Sequence, residues 1–251
     1  MPVASVPSTS SLGKTGQSPL LGFLTSSIGR KWIVALTGVG LLGFVIAHMV
    51  GNLQFFLPDK AVYNIYAANL QALGPLLWVA RIGLLVMFVV HIVTTIALVI
   101  ENRKARPQKY AQFQPQKSTT ASRTMALSGL TVLAFVIYHV MHFTLMSFHP
   151  IYKTLVDAAG RPDVYSRMVL GFSNYYISGF YILAVLLLAM HLKHGIASSV
   201  QTLGIKSRPV AKFVDTSSKV IAAVIAVGFI SIPLSVIFKL QHLPPWSPLL
   251  P

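Results

Sequence analysis

The sequence predicts an all-α integral membrane protein with five transmembrane helices, and three observations carry this. First, hydrophobic types make up 54% of the 251 residues and charged types only 10%, and mean hydropathy is +0.69. Ordinary soluble domains are about a quarter charged, so this chain lacks the charge to cover a soluble surface. A cytosolic enzyme and a disordered chain are both excluded. Second, apolar stretches recur at roughly 31–56, 76–100, 125–148, 174–199 and 216–240. Each is longer than the ~20 residues a helix needs to cross hydrocarbon. Backbone polar groups there must satisfy one another, which makes each stretch a helix. Third, the charges sit between these stretches.

That placement sets the topology. Net charge is +15, from 20 Lys and Arg against 5 Asp and Glu. Fourteen of the bases lie before span I (Lys14, Arg30, Lys31), between spans II and III (Arg103, Lys104, Arg106, Lys109, Lys117, Arg123) and around the IV–V connector (Lys193, Lys206, Arg208, Lys212, Lys219). Six lie on the other side: Lys60, Arg81, Lys153, Arg161, Arg167 and Lys239. The positive-inside rule then puts the N-terminus in the cytoplasm and the C-terminus outside. Bases confined to short connectors read as topology signals rather than as a nucleic-acid surface; the expected surroundings are lipid, with no nucleic-acid partner.

The membrane domain is expected over 25–240. Residues 1–24, rich in Pro, Ser, Thr and Gly, read as a flexible N-terminal tail without the order of a secretory signal. Residues 241–251 read as a Pro-rich C-terminal tail that cannot extend the last helix. Residues 61–73 look helical and precede Gly74-Pro75, which predicts a short interfacial helix on the outer side. Residues 150–173 read as a longer outer loop, with Tyr152, Tyr165, Phe172, Tyr175 and Tyr176 at interface depth. No internal repeat stands out.

The chain has no cysteine, so iron–sulfur clusters, thiolate haem ligation and disulfides within it are excluded, and a redox centre would have to be held by His, Met or carboxylate. Of eight histidines, six lie within predicted spans, distributed over the first four spans with none in the fifth. Ionisable groups in a bilayer are costly and are kept for function. At ~1.5 Å per residue, His48, His91, His139 and His191 each lie some 4–7 Å past the midpoint of their helix. Odd spans run outward and even spans inward. His48 and His139 therefore share the outer half, and His91 and His191 the inner half. Two imidazoles at one depth on facing helices suit the two axial positions of one haem. The fold class sharpens accordingly, to a bundle of the first four helices enclosing two stacked haems, each six-coordinate and fitted to electron transfer.

Zinc or copper would want ligands converging at one depth. The five carboxylates (Asp59, Glu101, Asp157, Asp163, Asp215) are none of them deep in a span, which disfavours a proton-coupled transporter. Other readings are a b-type anchor of a formate dehydrogenase or hydrogenase, and a non-haem membrane scaffold or transporter with core histidines. Gly38, Gly40, Gly43, Gly51, Gly83, Gly129 and Gly179 leave room beside the histidines for a flat macrocycle, though small residues also serve plain helix packing. Spans III and IV repeat His-x-x-His. His142 and His194, about 4.5 Å nearer their membrane face, are candidates for haem propionates or supporting contacts, and remain alternatives to His139 and His191 as ligands. Arg30, Lys31, Arg123 and Lys193 at the inner rim would neutralise inner propionates, or anchor the helices there.

Four segments in order, FVIAHMVGN around His48, MFVVHIV around His91, SGLTVLAFVIYHVMHF around His139 and MHLKHGIASSVQTLGI around His191, together with YNIYAANLQALGPLLW between spans I and II, resemble a known family. It is the di-haem cytochrome b membrane anchor of succinate dehydrogenase and fumarate reductase (respiratory complex II), in its single-polypeptide, five-helix form. The resemblance covers about 28–238. It implies two haem b, with His48, His91, His139 and His191 as axial ligands, and it favours His139 and His191 over their i+3 neighbours. It also implies a flavoprotein subunit carrying FAD and an iron–sulfur subunit as partners, with electrons passing from the inner haem to the outer haem and then to a quinone, usually menaquinone. The chain would be the quinone-reactive subunit, without succinate chemistry of its own, in a bacterial cytoplasmic (inner) membrane. Quinone reduction needs polar groups and protons at the headgroup. Asn52, Gln54, Asp59 and Tyr63 are the candidates near the outer haem, and Ser27, Arg30 and His194 form a rival inner set.

Overall fold

The computed structural model describes residues 18–105, 120–204 and 207–248. The tail up to residue 17 with Lys14, the connector 106–119 with Arg106, Lys109 and Lys117, Lys206, the last three residues and the Arg123 side chain lie outside the described residues.

Eight α-helices are described: α1 (Pro19–Thr25), α2 (Ser27–Leu53), α3 (Ala61–Ala72), α4 (Pro75–Lys104), α5 (Thr120–His139), α6 (Val164–Phe172), α7 (Tyr175–Thr202) and α8 (Arg208–Ile237). Five helices, α2, α4, α5, α7 and α8, are long and apolar enough to cross a membrane, and no strand is present among the described residues. The protein is an all-α, multi-pass membrane protein, as its apolar stretches predict.

The helices outrun the apolar stretches at one end of the bundle. There α2 begins at Ser27, α4 continues to Lys104, and α8 begins at Arg208. Apolar patterning stops where charge begins, but Lys, Arg and Glu are good helix formers and their long side chains carry charge clear of hydrocarbon. Residues 19–24, read as tail from sequence, form α1 together with Thr25, capped by the Ser18 hydroxyl on the Leu21 N–H. A Cβ at Gly29 would collide with the Phe23 backbone, so glycine there lets α1 fold back onto α2.

At the opposite end the chain builds a cap. Helix α5 continues as a π turn, Val140–Thr144, and stops four residues short of the predicted span end. Met146 then takes a positive φ. Gly74, at φ 53°, turns the chain from α3 into α4, with Pro75 at the helix start. Within the predicted loop 150–173 the structure forms a 3₁₀ turn (Pro150–Thr154) and α6. Asp163 caps α6 through the Ser166 N–H. Sequence patterning misses α6 because its nine residues are too few to show helical period. Tyr152, Tyr165 and Phe172 are buried, whereas Tyr175 and Tyr176 are exposed as an interfacial belt requires.

The buried core lies in and under this cap: Phe55, Tyr63, Tyr165, Val169, Phe172, Tyr181, Ile232 and Val236. A polar knot ties it together. Buried Asp163 accepts from Asn64 Nδ2 (3.0 Å), the Ser166 hydroxyl (2.6 Å) and Trp246 Nε1 (3.0 Å). Asn64 returns its carbonyl to the Tyr165 N–H (3.0 Å). Tyr165 Oη donates to Gln241 Oε1 (2.8 Å). The segment after Lys239, expected as a tail, is thus seated on α6 by Gln241 and Trp246.

The four histidine-bearing helices are loosely joined by comparison. α2 packs on α4, α7 on α5, and α2 on α7, but α4 and α5 share at most a grazing contact. No residue of α4 is buried, whereas a third of the most apolar stretch of α8 is. The square of α2, α4, α5 and α7 is open along its α4–α5 edge.

Candidate functional site

Imidazoles meet across this square on its two diagonals, at two levels. Near the cap, His48 of α2 faces His139 of α5, with ring centroids 5.8 Å apart and planes at 83°. Toward the open end, His91 of α4 and His191 of α7 lie within reach of one another's charge.

The two open-end histidines are seated alike. Thr37 Oγ1 donates to its own helix, at the Ile33 carbonyl (2.7 Å), and lies 3.0 Å from His91 Nδ1. Ser128 Oγ donates to the Met125 carbonyl (3.0 Å) and lies 3.2 Å from His191 Nδ1. A hydroxyl has one proton. Each, having spent it on the backbone, can accept from the imidazole, an arrangement in which the ring proton sits on Nδ1 and Nε2 keeps its lone pair; the His91 ring also meets the Val34 backbone. The next residue is glycine in both cases. A Cβ on Gly38 would stand 3.3 Å from His91 Cε1, and one on Gly129 3.4 Å from His191 Cε1. Gly43, Gly83 and Gly179 face open space, while Gly40 and Gly51 receive the Met87 and Tyr66 side chains.

The cap-end pair sits among aromatics. Phe44 stacks on His48 (5.4 Å), and Phe229 of α8 approaches it at 5.9 Å. Phe135, Phe143 and Tyr181 surround His139. Tyr181 Oη stands 3.0 Å from His142 Nδ1 and 3.5 Å from His139 Nδ1. His142 is fully buried, and its Nε2 has no hydrogen-bond partner among the described residues.

Of the residues proposed for a quinone, two are joined. Asn52 Nδ2 donates to the His48 carbonyl (2.8 Å), and its Oδ1 accepts from Tyr63 Oη (2.7 Å). Burial and the neighbouring Tyr66 push the Tyr63 phenol above its ordinary range, so it stays a donor. Gln54 lies in the 3₁₀ turn that ends α2, and Asp59 is exposed, bonded to the Ala61 N–H. Among the described residues no side-chain hydrogen bond links either to Asn52 or Tyr63. Asp59 instead lines an open cavity of about 380 Å³ with Lys60, Tyr165, Gln241, His242 and Trp246. At the other rim Arg30 is paired with Glu101 at the end of α4. Lys31 and Lys193 are exposed, and His194 is half-buried. Ser27, of the rival set, opens α2.

Sequence reasoning missed Thr37, Ser128 and Tyr181. A signal for the first two exists: a hydroxyl–glycine pair stands eleven residues before a histidine twice, Thr37-Gly38 before His48 and Ser128-Gly129 before His139. Eleven residues are about three α-helical turns, so seat and histidine share one helix face.

Fold and site together define a multi-helix membrane protein with two levels of paired, half-buried imidazoles. Residues 102–232 match the family model of the succinate dehydrogenase/fumarate reductase transmembrane subunit, and the chain belongs to that family. His139, His142, His191 and His194 fall in the matched segment, and His48 and His91 before it. Comparison with curated proteins and with solved structures gives no match.

Proposed function

We propose that this chain is the di-haem cytochrome b anchor of a succinate:quinone oxidoreductase, conducting electrons from an iron–sulfur subunit, itself supplied by an FAD-bearing flavoprotein, to a quinone such as menaquinone. The observation that carries the reading is the two crossed imidazole pairs, one per level, in a helix square left open on one edge. Among the described residues no three His, Asp or Glu converge as an ion site. Two-imidazole sets suit a metal that brings its own equatorial donors, and the chemistry of haem is of that kind. When bound, haem iron supplies a one-electron carrier at each level.

The chain's own residues account for the rest. His91 and His191, seated at Nδ1 by Thr37 and Ser128, would serve the inner level through Nε2, and His48 and His139 the outer one. His142 Nε2, buried and unpartnered, is the group free to meet a propionate there. At the inner rim Lys31 and His194 remain for that role, since Arg30 is engaged by Glu101. Packed aromatics keep water from the outer pair. Reduction of a quinone takes two protons as well as two electrons. Tyr63 gives its one proton to Asn52 beside His48, so a headgroup would accept from it only by displacing that bond, and Asp59 lines an open cavity at the same end. The basic, open end faces the cytoplasm and the cap the outside of a bacterial inner membrane, by the charge asymmetry of the connectors.

The test is the haem-to-chain ratio of the complex purified with its partner subunits. Two b haems with bis-imidazole spectra are expected. A colourless complex, or one haem per chain, overturns the reading.

A further inference from the structure

We infer that Thr37 and Ser128 are positioning residues that hold His91 and His191 as Nδ1–H imidazoles and so set the electron affinity of the inner centre; the inference rests on the haem reading above. Neither residue touches the reacting atoms. Each acts through the imidazole it accepts from.

The direction of each hydrogen bond carries the argument. Both hydroxyls are committed as donors to carbonyls in the preceding turn of their own helices, at 2.7 Å and 3.0 Å. Toward His91 Nδ1 (3.0 Å) and His191 Nδ1 (3.2 Å) they accept. The adjoining Gly38 and Gly129 let the rings come this close: a Cβ would stand 3.3 Å from Cε1 at Gly38, tighter than ordinary contact, and 3.4 Å at Gly129, at its lower edge. The arrangement is built twice, on separate helices, by the same two-residue pattern at the same distance from a histidine. Helices α2 and α5 therefore each supply one outer histidine and, three turns away, the seat for the inner histidine of the following span. An Nδ1–H held by an acceptor makes the imidazole a stronger donor through Nε2. A stronger axial donor favours ferric over ferrous iron and lowers the reduction potential.

The experiment is an optical redox titration of the assembled complex carrying Thr37→Val, Ser128→Ala or both, which remove the acceptor with little change in volume. The two midpoints are assigned by the centre that survives in His48→Ala and in His91→Ala. Expected are two haems per chain, an inner-centre midpoint displaced to more positive potential, further in the double variant than in either single one, and an unmoved outer midpoint. Thr37→Ser and Ser128→Thr keep the hydroxyl and retain the wild-type midpoint. With two haems bound, an unmoved inner midpoint, a shift shared equally by both centres, or Ser and Thr exchanges that shift as Val and Ala do, overturns the assignment. A wild-type complex that does not hold two haems instead overturns the proposed function, and is read from the haem ratio before any titration.

Discussion

The two ends of the bundle solve the problem of buried polarity differently. At the cap, a knot of buried polar side chains finds its partners in the chain: Asp163, Asn64 and Ser166 are fully enclosed and bonded to one another, to backbone and to Trp246, while His142 Nε2 and Arg167 Nε are left unpartnered among the described residues. Aromatic rings fill the space between helices. At the open end the chain supplies half of each arrangement. Hydroxyls stand against one ring nitrogen of His91 and of His191, and no residue of α4 is buried. Interhelical association in lipid has little hydrophobic drive, since lipid tails are as apolar as leucine. On the haem reading proposed above, the contrast marks the level at which a bound group would contribute to holding the helices.

The largest effects separate the levels. Replacing His91 or His191 with Ala is expected to abolish the inner haem and leave the outer, so that half of the b-type absorbance is lost. His48→Ala or His139→Ala does the reverse. Loss of both centres from one replacement, read by pyridine haemochrome assay, would break the comparison. Next is Asp163→Ala. It strips the acceptor from Asn64, Ser166 and Trp246 together, at a cost of roughly 3 kcal/mol, since each buried donor left unpaired costs about 1–3 kcal/mol. Limited proteolysis is expected to quicken in the 145–163 segment and the 241–248 tail, with the inner-haem spectrum unchanged.

The five spans were legible because a bilayer enforces them: length and apolarity are enough, and the depth of each histidine follows from helical rise. The cap was not legible. Asp163, Asn64 and Trp246 lie far apart in sequence and carry no period, and their pairing is a product of tertiary approach. The sequence also read residues 241–251 as a tail because Pro stops a helix, a rule that says nothing about where the stopped chain packs. Thr37 and Ser128 fell between these cases. Their spacing to His48 and His139 repeats, but a hydroxyl in a membrane helix ordinarily bonds its own preceding turn, as both do here, and only the facing ring reveals the second use.

A smaller effect tests the cap through acid. Burial raises the Asp157 carboxyl, but the N–H groups of Arg161 and Ala159 and the Arg161 guanidinium at 2.8 Å outweigh it and hold it below the usual carboxylate range. A depressed folded pKa contributes stability that is present above the unfolded value and lost as pH falls through the folded one. The cap is thus expected to loosen as pH drops below the ordinary Asp range, and Asp157→Asn to flatten that dependence, both followed by proteolysis of the 145–163 segment. An acid response unaltered in the variant would place the sensitive group elsewhere.

The smallest effect belongs to the open end. Arg30 and Glu101 pair between α2 and α4, and Lys219 and Asp215 pair along α8, but all four side chains are substantially exposed. Exposed pairs contribute little because water screens them and their long side chains lose freedom. Glu101→Gln is expected to cost about 0.5 kcal/mol or less in thermal stability, a difference that shrinks further in high salt. It also frees Arg30 at the inner rim. If Arg30 then serves a propionate, the inner midpoint moves to more positive potential while stability hardly changes. If stability falls by several kcal/mol instead, the α2–α4 edge is held by charge rather than by what lies between the helices, and the contrast between the two ends fails.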